Sequence, residues 1–83
     1  MYYVYVIQNE RHDLYIGYTH NLKRRLFEHN NDKSKSTKGH KWVLIYYESY
    51  KSNIDAQDRE KALKYRGQAK AQLKRRIKNS RLD

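Results

Sequence analysis

Apolar and polar positions alternate from the start of the chain. Tyr2–Ile7 is β-branched and aromatic and reads as a strand, with Tyr3, Tyr5 and Ile7 on one face and Tyr2, Val4 and Val6 on the other. The polar stretch Asn9–Asp13 is turn-like, and Leu14–Thr19 resumes the strand pattern, which predicts a hairpin. In the second strand Tyr15 and Gly17 share one face, and Ile16 and Tyr18 the other; a glycine there marks a bulge or the close approach of another backbone. Asn21 suits the N-cap of a helix from Leu22 to about Asn30, with Leu22 and Leu26 on its buried side. Trp42–Tyr47 is a third strand, apolar enough to be central. Ser52 followed by Asp55 resembles a capping box and opens a helix that Gly67 ends near Arg66. Ala69, Leu73 and Ile77 recur every four residues, the seam of a final helix over about 68–79. The order β-β-α-β-α-α predicts an α+β fold, a small three-stranded, mainly antiparallel sheet flanked by helices, as one domain over 1–83. Residues 31–40 carry no apolar side chain and read as a flexible surface loop.

Composition narrows the possibilities. At 83 residues a hydrophobic core is marginal, and nine of the hydrophobic side chains are tyrosines. Those tyrosines must help fill the interior, and each one buried needs a partner for its hydroxyl. The absence of cysteine excludes disulfides and thiolate metal sites. The strand-like run opening at Met1 leaves no basic n-region or apolar h-region, and no apolar run approaches the ~18 residues of a membrane span. A cytoplasmic protein is expected, with no membrane partner.

Charge points to the partner. Nineteen Lys plus Arg against nine Asp plus Glu give a net charge of +10, which attracts polyanions and makes nucleic acid the default partner, with a ribosomal or anionic-lipid surface as the competitor that composition alone does not separate from it. The excess is uneven: Lys61–Leu82 contains nine basic residues and no acid, and Lys33, Lys35, Lys38 and Lys41 form a second group. Lys70, Lys74 and Lys78 fall about 100° from the apolar seam of the last helix, so they face solvent while the seam docks.

Two charged residues sit where charge is costly. Arg25 and His29 lie one turn apart on the apolar side of the first helix, and a buried arginine needs an anion. Glu48 or Glu60 would serve, or the side chain would snorkel. Glu60 lies one turn from Ala56 and beside Leu63. It suits an ion pair with Arg25 or Arg59, or a lone carboxylate for a divalent cation.

Together these positions form a pattern. Tyr-Val-Tyr at 3–5, Tyr-Ile-Gly at 15–17 and Asn-Leu-Lys-Arg-Arg-Leu at 21–26 resemble the GIY-YIG nuclease superfamily, with ten residues from Tyr5 to Tyr15 and ten more to Arg25. His29 follows one turn later, and Asp55-Ala56-Gln57-Asp58-Arg59-Glu60 resembles the helix start that leads to the family's metal-binding glutamate. The likeness runs from Tyr3 to about Tyr65 and is nearest to small stand-alone bacterial proteins similar to the N-terminal nuclease domain of the excision-repair incision subunit. Tyr18 stands where those relatives have a lysine, and Gln72 where they have an asparagine.

The resemblance implies a metal-dependent nuclease hydrolysing phosphodiester bonds in DNA, or RNA, an endonuclease with weak sequence preference. It makes Tyr15 the general base, with nearby Lys/Arg, His29 or His40 favouring its anion. Arg25 would clamp the phosphate, Glu60 would hold one Mg²⁺ or Mn²⁺ against the leaving oxygen, and Tyr5 would orient the site. His29 would act as a proton shuttle or phosphate donor. Lys23, Lys38, Lys41, Lys64, Lys70, Lys74 and Lys78 join Arg25 as candidate contacts to the strand. A protein partner supplying substrate grip, or a binding module without turnover, are the alternatives.

Overall fold

The computed structural model describes residues 1–82. Three strands, β1 (Tyr2–Asn9), β2 (Leu14–Thr19) and β3 (Trp42–Tyr50), form an antiparallel sheet in the order β2-β1-β3. Three helices, α1 (Leu22–Asn30), α2 (Asn53–Tyr65) and α3 (Gly67–Arg76), pack on it, so the chain is α+β with the element order that the pattern predicts.

Local chemistry sets the element ends. Asn9 Oδ1 accepts hydrogen bonds from the backbone N–H groups of Arg11 and Asp13, at 2.9 and 3.0 Å, which closes the hairpin turn. His12 takes a left-handed conformation there, at φ 67°. Asn21 caps α1 by accepting from the Arg24 N–H at 3.0 Å, and Ser52 caps α2 by accepting from Asp55 at 3.3 Å. Helix α3 stops at Arg76, with Ile77 as its cap, so Lys78 lies beyond its end rather than on its face.

The central strand is β1, not the segment beginning at Trp42. Register explains the difference. Val6 pairs with Tyr46 but Ile7 pairs with Leu44, leaving Ile45 as an extra residue in β3. This bulge turns Leu44 toward α1 while Ile45 and Tyr46 both pack on the opposite side. An unbroken apolar run here reports a bulged edge strand serving both faces. Strand β1 is buried without a break from Val4 to Asn9, on both faces.

The faces differ in content. Val4, Val6, Ile16, Ala56, Leu63, Leu73 and Ile77 form one apolar core beneath α2 and α3. On the other face Tyr5, Ile7 and Trp42 pack with Tyr15, Leu22, Leu26 and Leu44 beneath α1. Residues 31–40 are not the featureless surface loop that their composition suggests. They contain a short 3-10 turn at Lys35–Thr37, and Ser34 and Thr37 are buried against the α1 side. Among the described residues no helix is long and apolar enough to cross a membrane.

Candidate active site

Gly17 makes the first contact of the site possible. It pairs across the hairpin with Tyr5, and a Cβ at this position would lie 2.3 Å from the Tyr5 Cζ and hydroxyl. The close approach expected at Gly17 is therefore that of a side chain rather than a backbone. Room for the ring lets the Tyr5 hydroxyl reach His29 Nε2, 2.7 Å away on α1, while His29 Nδ1 lies 2.7 Å from Thr37 Oγ1. Trp42 Nε1 donates to the Thr37 carbonyl at 2.9 Å and fixes the far end of this chain.

Arg25 borders Tyr5 in one cleft, and its charge acts on the phenol. Burial, with the Arg25 charge adding to it, pushes the His29 pKa down to about 4, so the imidazole is neutral near pH 7. Burial likewise pushes Tyr5 up to about 12, against the opposing pull of Arg25. Tyr5 stays a neutral phenol.

The ion pairs differ from those weighed from sequence. Arg25 joins Glu28 at 3.0 Å, not Glu48 or Glu60, and its other nitrogen lies 3.5 Å from Ser34 Oγ. Glu48 is bound through both oxygens by Arg59, at 2.9 and 3.1 Å, and accepts from Tyr46 and Tyr50. Burial raises the Glu48 pKa, but these bonds outweigh it and hold the carboxyl below its usual range. Glu60 pairs with Lys64 at 3.2 Å rather than with an arginine.

Tyr15 links the two parts. Its ring lies 5.2 Å from His29 and 6.2 Å from Trp42, and Lys64 Nζ is 5.6 Å from the ring centroid. Glu60 and Tyr15 both act electrostatically on the Tyr5 phenol. Arg25 and Glu60 retain 29% and 21% side-chain exposure, so the cluster is open to solvent at its charged rim. His40 is not part of it: Glu10 holds its Nδ1 at 2.8 Å. Nor is Tyr18, which stacks on Tyr2 and donates to Asn53 on the opposite side of the sheet.

Among the described residues no three His, Cys, Asp or Glu side chains gather as a metal cage. Glu60 supplies a single hard oxygen donor at the rim, which fits Mg²⁺ or Mn²⁺ keeping most of its water, and would have to exchange Lys64 for the ion. Of the basic residues singled out, Lys64 belongs to the Tyr15–Glu60 cluster. Lys23, Lys38, Lys41, Lys70, Lys74 and Lys78 are exposed, with Lys70 and Lys74 on α3, across the sheet from Tyr5. Thr37 and Glu28 were missed by sequence reasoning. Thr37 sits in a Lys/Ser run with no distinguishing signal, whereas Glu28 stands three residues from Arg25, a spacing that pairs side chains on a helix.

The fold is a basic α+β domain in which two tyrosines, an arginine and a carboxylate approach one another from four elements. Residues 1–76 match the family described as the GIY-YIG catalytic domain, and the chain belongs to that family, within a superfamily of nucleases that generally use a divalent metal. It is similar to a UPF0213 protein of Clostridium perfringens, 39% identical over 66 residues covering 77% of this chain and 71% of the relative. A UPF0213 protein of Staphylococcus haemolyticus is 39% identical over 64 residues, covering 75% and 78%. One from Haloquadratum walsbyi is 36% identical over 74 residues, covering 86% and 83%. No solved structure matches the chain.

Proposed function

We propose that this protein is a metal-dependent nuclease that hydrolyses phosphodiester bonds in DNA, acting as an endonuclease with weak sequence preference. The observation that carries the reading is the hydrogen-bonded run Tyr5–His29–Thr37 bordered by Arg25, with Tyr15 and the Glu60–Lys64 pair beside it.

Tyr15 is the general base that takes a proton from the attacking water. Lys64 Nζ lies beside its ring, 5.6 Å from the centroid. Arg25 clamps the scissile phosphate, because its planar fork presents two parallel donors to phosphoryl oxygens. Glu28 holds the guanidinium at the rim through one nitrogen, and Ser34 lies at the other. His29 has both ring nitrogens engaged and no exposed surface, so it is a positioning residue for Tyr5 rather than a proton shuttle or phosphate donor. Glu60 would hold the cation. When bound, Mg²⁺ or Mn²⁺ supplies Lewis-acid relief of the charge developing on the departing 3′ oxygen.

The test is cleavage of plasmid and of labelled single-stranded, duplex and branched DNA with Mg²⁺, with Mn²⁺ and with chelator. Wild type should nick in a metal-dependent way. Arg25→Ala and Glu60→Ala should each lose at least about 100-fold, the scale for deleting one electrostatic stabiliser. Tyr15→Phe should lose as much while keeping its affinity for DNA. Equal cleavage by wild type and Glu60→Ala would remove the reading and leave a nucleic-acid-binding module.

A further inference from the structure

The face of the sheet that carries Tyr5 is covered over only part of its length. Leu22 and Leu26 of α1 close it above Tyr5, Ile7 and Leu44. Toward the start of β1 the same face continues as Tyr3, with Tyr47 and Ser49 beside it on β3, and there Tyr47 is 52% exposed and Ser49 is exposed. Tyr3 and Tyr47 are in contact, their ring centroids 5.9 Å apart and their planes at 71°. In this edge-to-face arrangement each ring holds the other upright, so Tyr47 cannot collapse onto the strand. A large aromatic propped in solvent is an unfilled contact surface.

Its position limits what fills it. Tyr47 is the register partner of Tyr5, one strand spacing of about 4.8 Å from the residue that lines one cleft with Arg25. Tyr3 precedes Tyr5 by two residues on the same face. The exposed pair is thus continuous with the candidate site. The chain bears a net charge of +10, which excludes a cationic partner and favours a polyanion. A polyanion with flat apolar faces at short intervals is a nucleic-acid strand, and aromatics on an open sheet face are suited to stacking its bases. Bases within a duplex are already stacked on one another, so such a surface engages unpaired ones.

We propose that Tyr3 and Tyr47 form a stacking platform for an unpaired nucleotide next to the phosphate bound at Arg25, so that the preferred substrate is single-stranded at the cut. This rests on the nuclease reading for the phosphate at Arg25, and the platform supplies the substrate class. Tyr47 touches no reacting atom; it selects strands by their bases.

The platform is tested by binding in the presence of chelator, with fluorescently labelled oligothymidylate and an abasic phosphodiester polymer of equal length as probes. The two carry the same charge and differ in bases. Wild type should bind the thymidylate strand roughly tenfold more tightly or better, the effect of stacking one base or more. Tyr47→Thr keeps a strand-forming residue while removing the ring. It should lose most of that preference with its affinity for the abasic polymer unchanged, and Tyr47→Phe should restore it. Equal binding of the two polymers by wild type, binding of neither, or an undiminished preference in Tyr47→Thr would overturn the platform. Cleavage with Mg²⁺ is read separately. A wild type that shows the Tyr47-dependent preference yet cuts nothing leaves the platform standing and removes the nuclease reading. A wild type that cuts strands but shows no such preference does the reverse.

Discussion

Val4 and Tyr5 are neighbours in one strand and almost equally hidden from water, yet they belong to two different kinds of interior. Val4 points into a close-packed apolar layer with Val6, Ile16, Ala56 and Leu63, where burial itself is the stabilising interaction. Tyr5 points into a layer where a phenol, an imidazole and a threonine hydroxyl are joined by hydrogen bonds and bordered by Arg25. A polar interior of this kind is held only if each group finds its partner, and it contributes less to stability than the apolar one. The pairing teaches a division of labour. One side of the sheet holds the fold, and the other side keeps polar groups dry, oriented and close to a charged rim.

Breaking the apolar side should have the largest effect on stability. Leu63 is completely buried at the centre of that layer. Leu63→Ala should cost about 2–5 kcal/mol of unfolding free energy, as measured by denaturant melts, and any fall in activity should follow the loss of folded protein. Arg25→Ala stands opposite: its effect is on cleavage, while its melting behaviour should stay near wild type. If Arg25→Ala proved the less stable of the two, the two sides of the sheet would not be divided in this way.

The polar side has its own signature, in pH. His29 has an ordinary pKa of 6.5 and is pushed down to about 4 in the fold, so the unfolded chain takes up the proton first as pH falls. Stability is therefore fully present above about pH 6.5 and declines toward pH 4, by an amount on the order of 2–3 kcal/mol for this group. Carboxylates held by cations, such as Glu48 and Glu28, also lose stabilisation on acidification. The comparison must be with His29→Gln. That variant should show a shallower decline between pH 6.5 and 4, and equal slopes in the two proteins would mean His29 is not held neutral by the Tyr5–Thr37 frame.

How much of this was readable beforehand also divides along the sheet. Alternation of Val with Tyr and Ile in β1 separates the two faces directly, and Asn21 and Ser52 mark the helix starts because caps are local chemistry. The spacing of Tyr5, Tyr15 and Arg25 carries meaning only through its resemblance to the GIY-YIG pattern. The position of β3 was not legible, because its bulge joins residues of both faces into one apolar run. Thr37 was invisible for another reason. Its burial depends on meeting His29 across the structure, and nothing in the sequence of residues 31–40 records that meeting. The exchange of ion-pair partners among Arg25, Arg59 and Lys64 is likewise decided by which helix face each occupies after packing.

The smallest effect concerns the outer layer of the apolar side. Lys70 and Lys74 lie on α3 and Lys78 beyond its end, all exposed, with the whole sheet between α3 and the Tyr5 face. From this position they have no route to the reacting phosphate, but they can neutralise phosphates of a strand that extends around the molecule. Replacing all three with glutamine should leave the single-turnover cleavage rate at saturating DNA unchanged. It should weaken binding and make the dependence of log affinity on log salt shallower, by up to about 2.7 if each lysine meets one phosphate of duplex DNA. The same replacement should leave the thymidylate-over-abasic preference untouched, because that difference is measured between polymers of equal charge. An unchanged salt slope would confine nucleic acid to the Tyr5 side and make the basic α3 surface a solvated face. A lower saturating rate would mean instead that the two sides of the sheet are coupled, and that the packing layer does more for the chemistry than hold it in place.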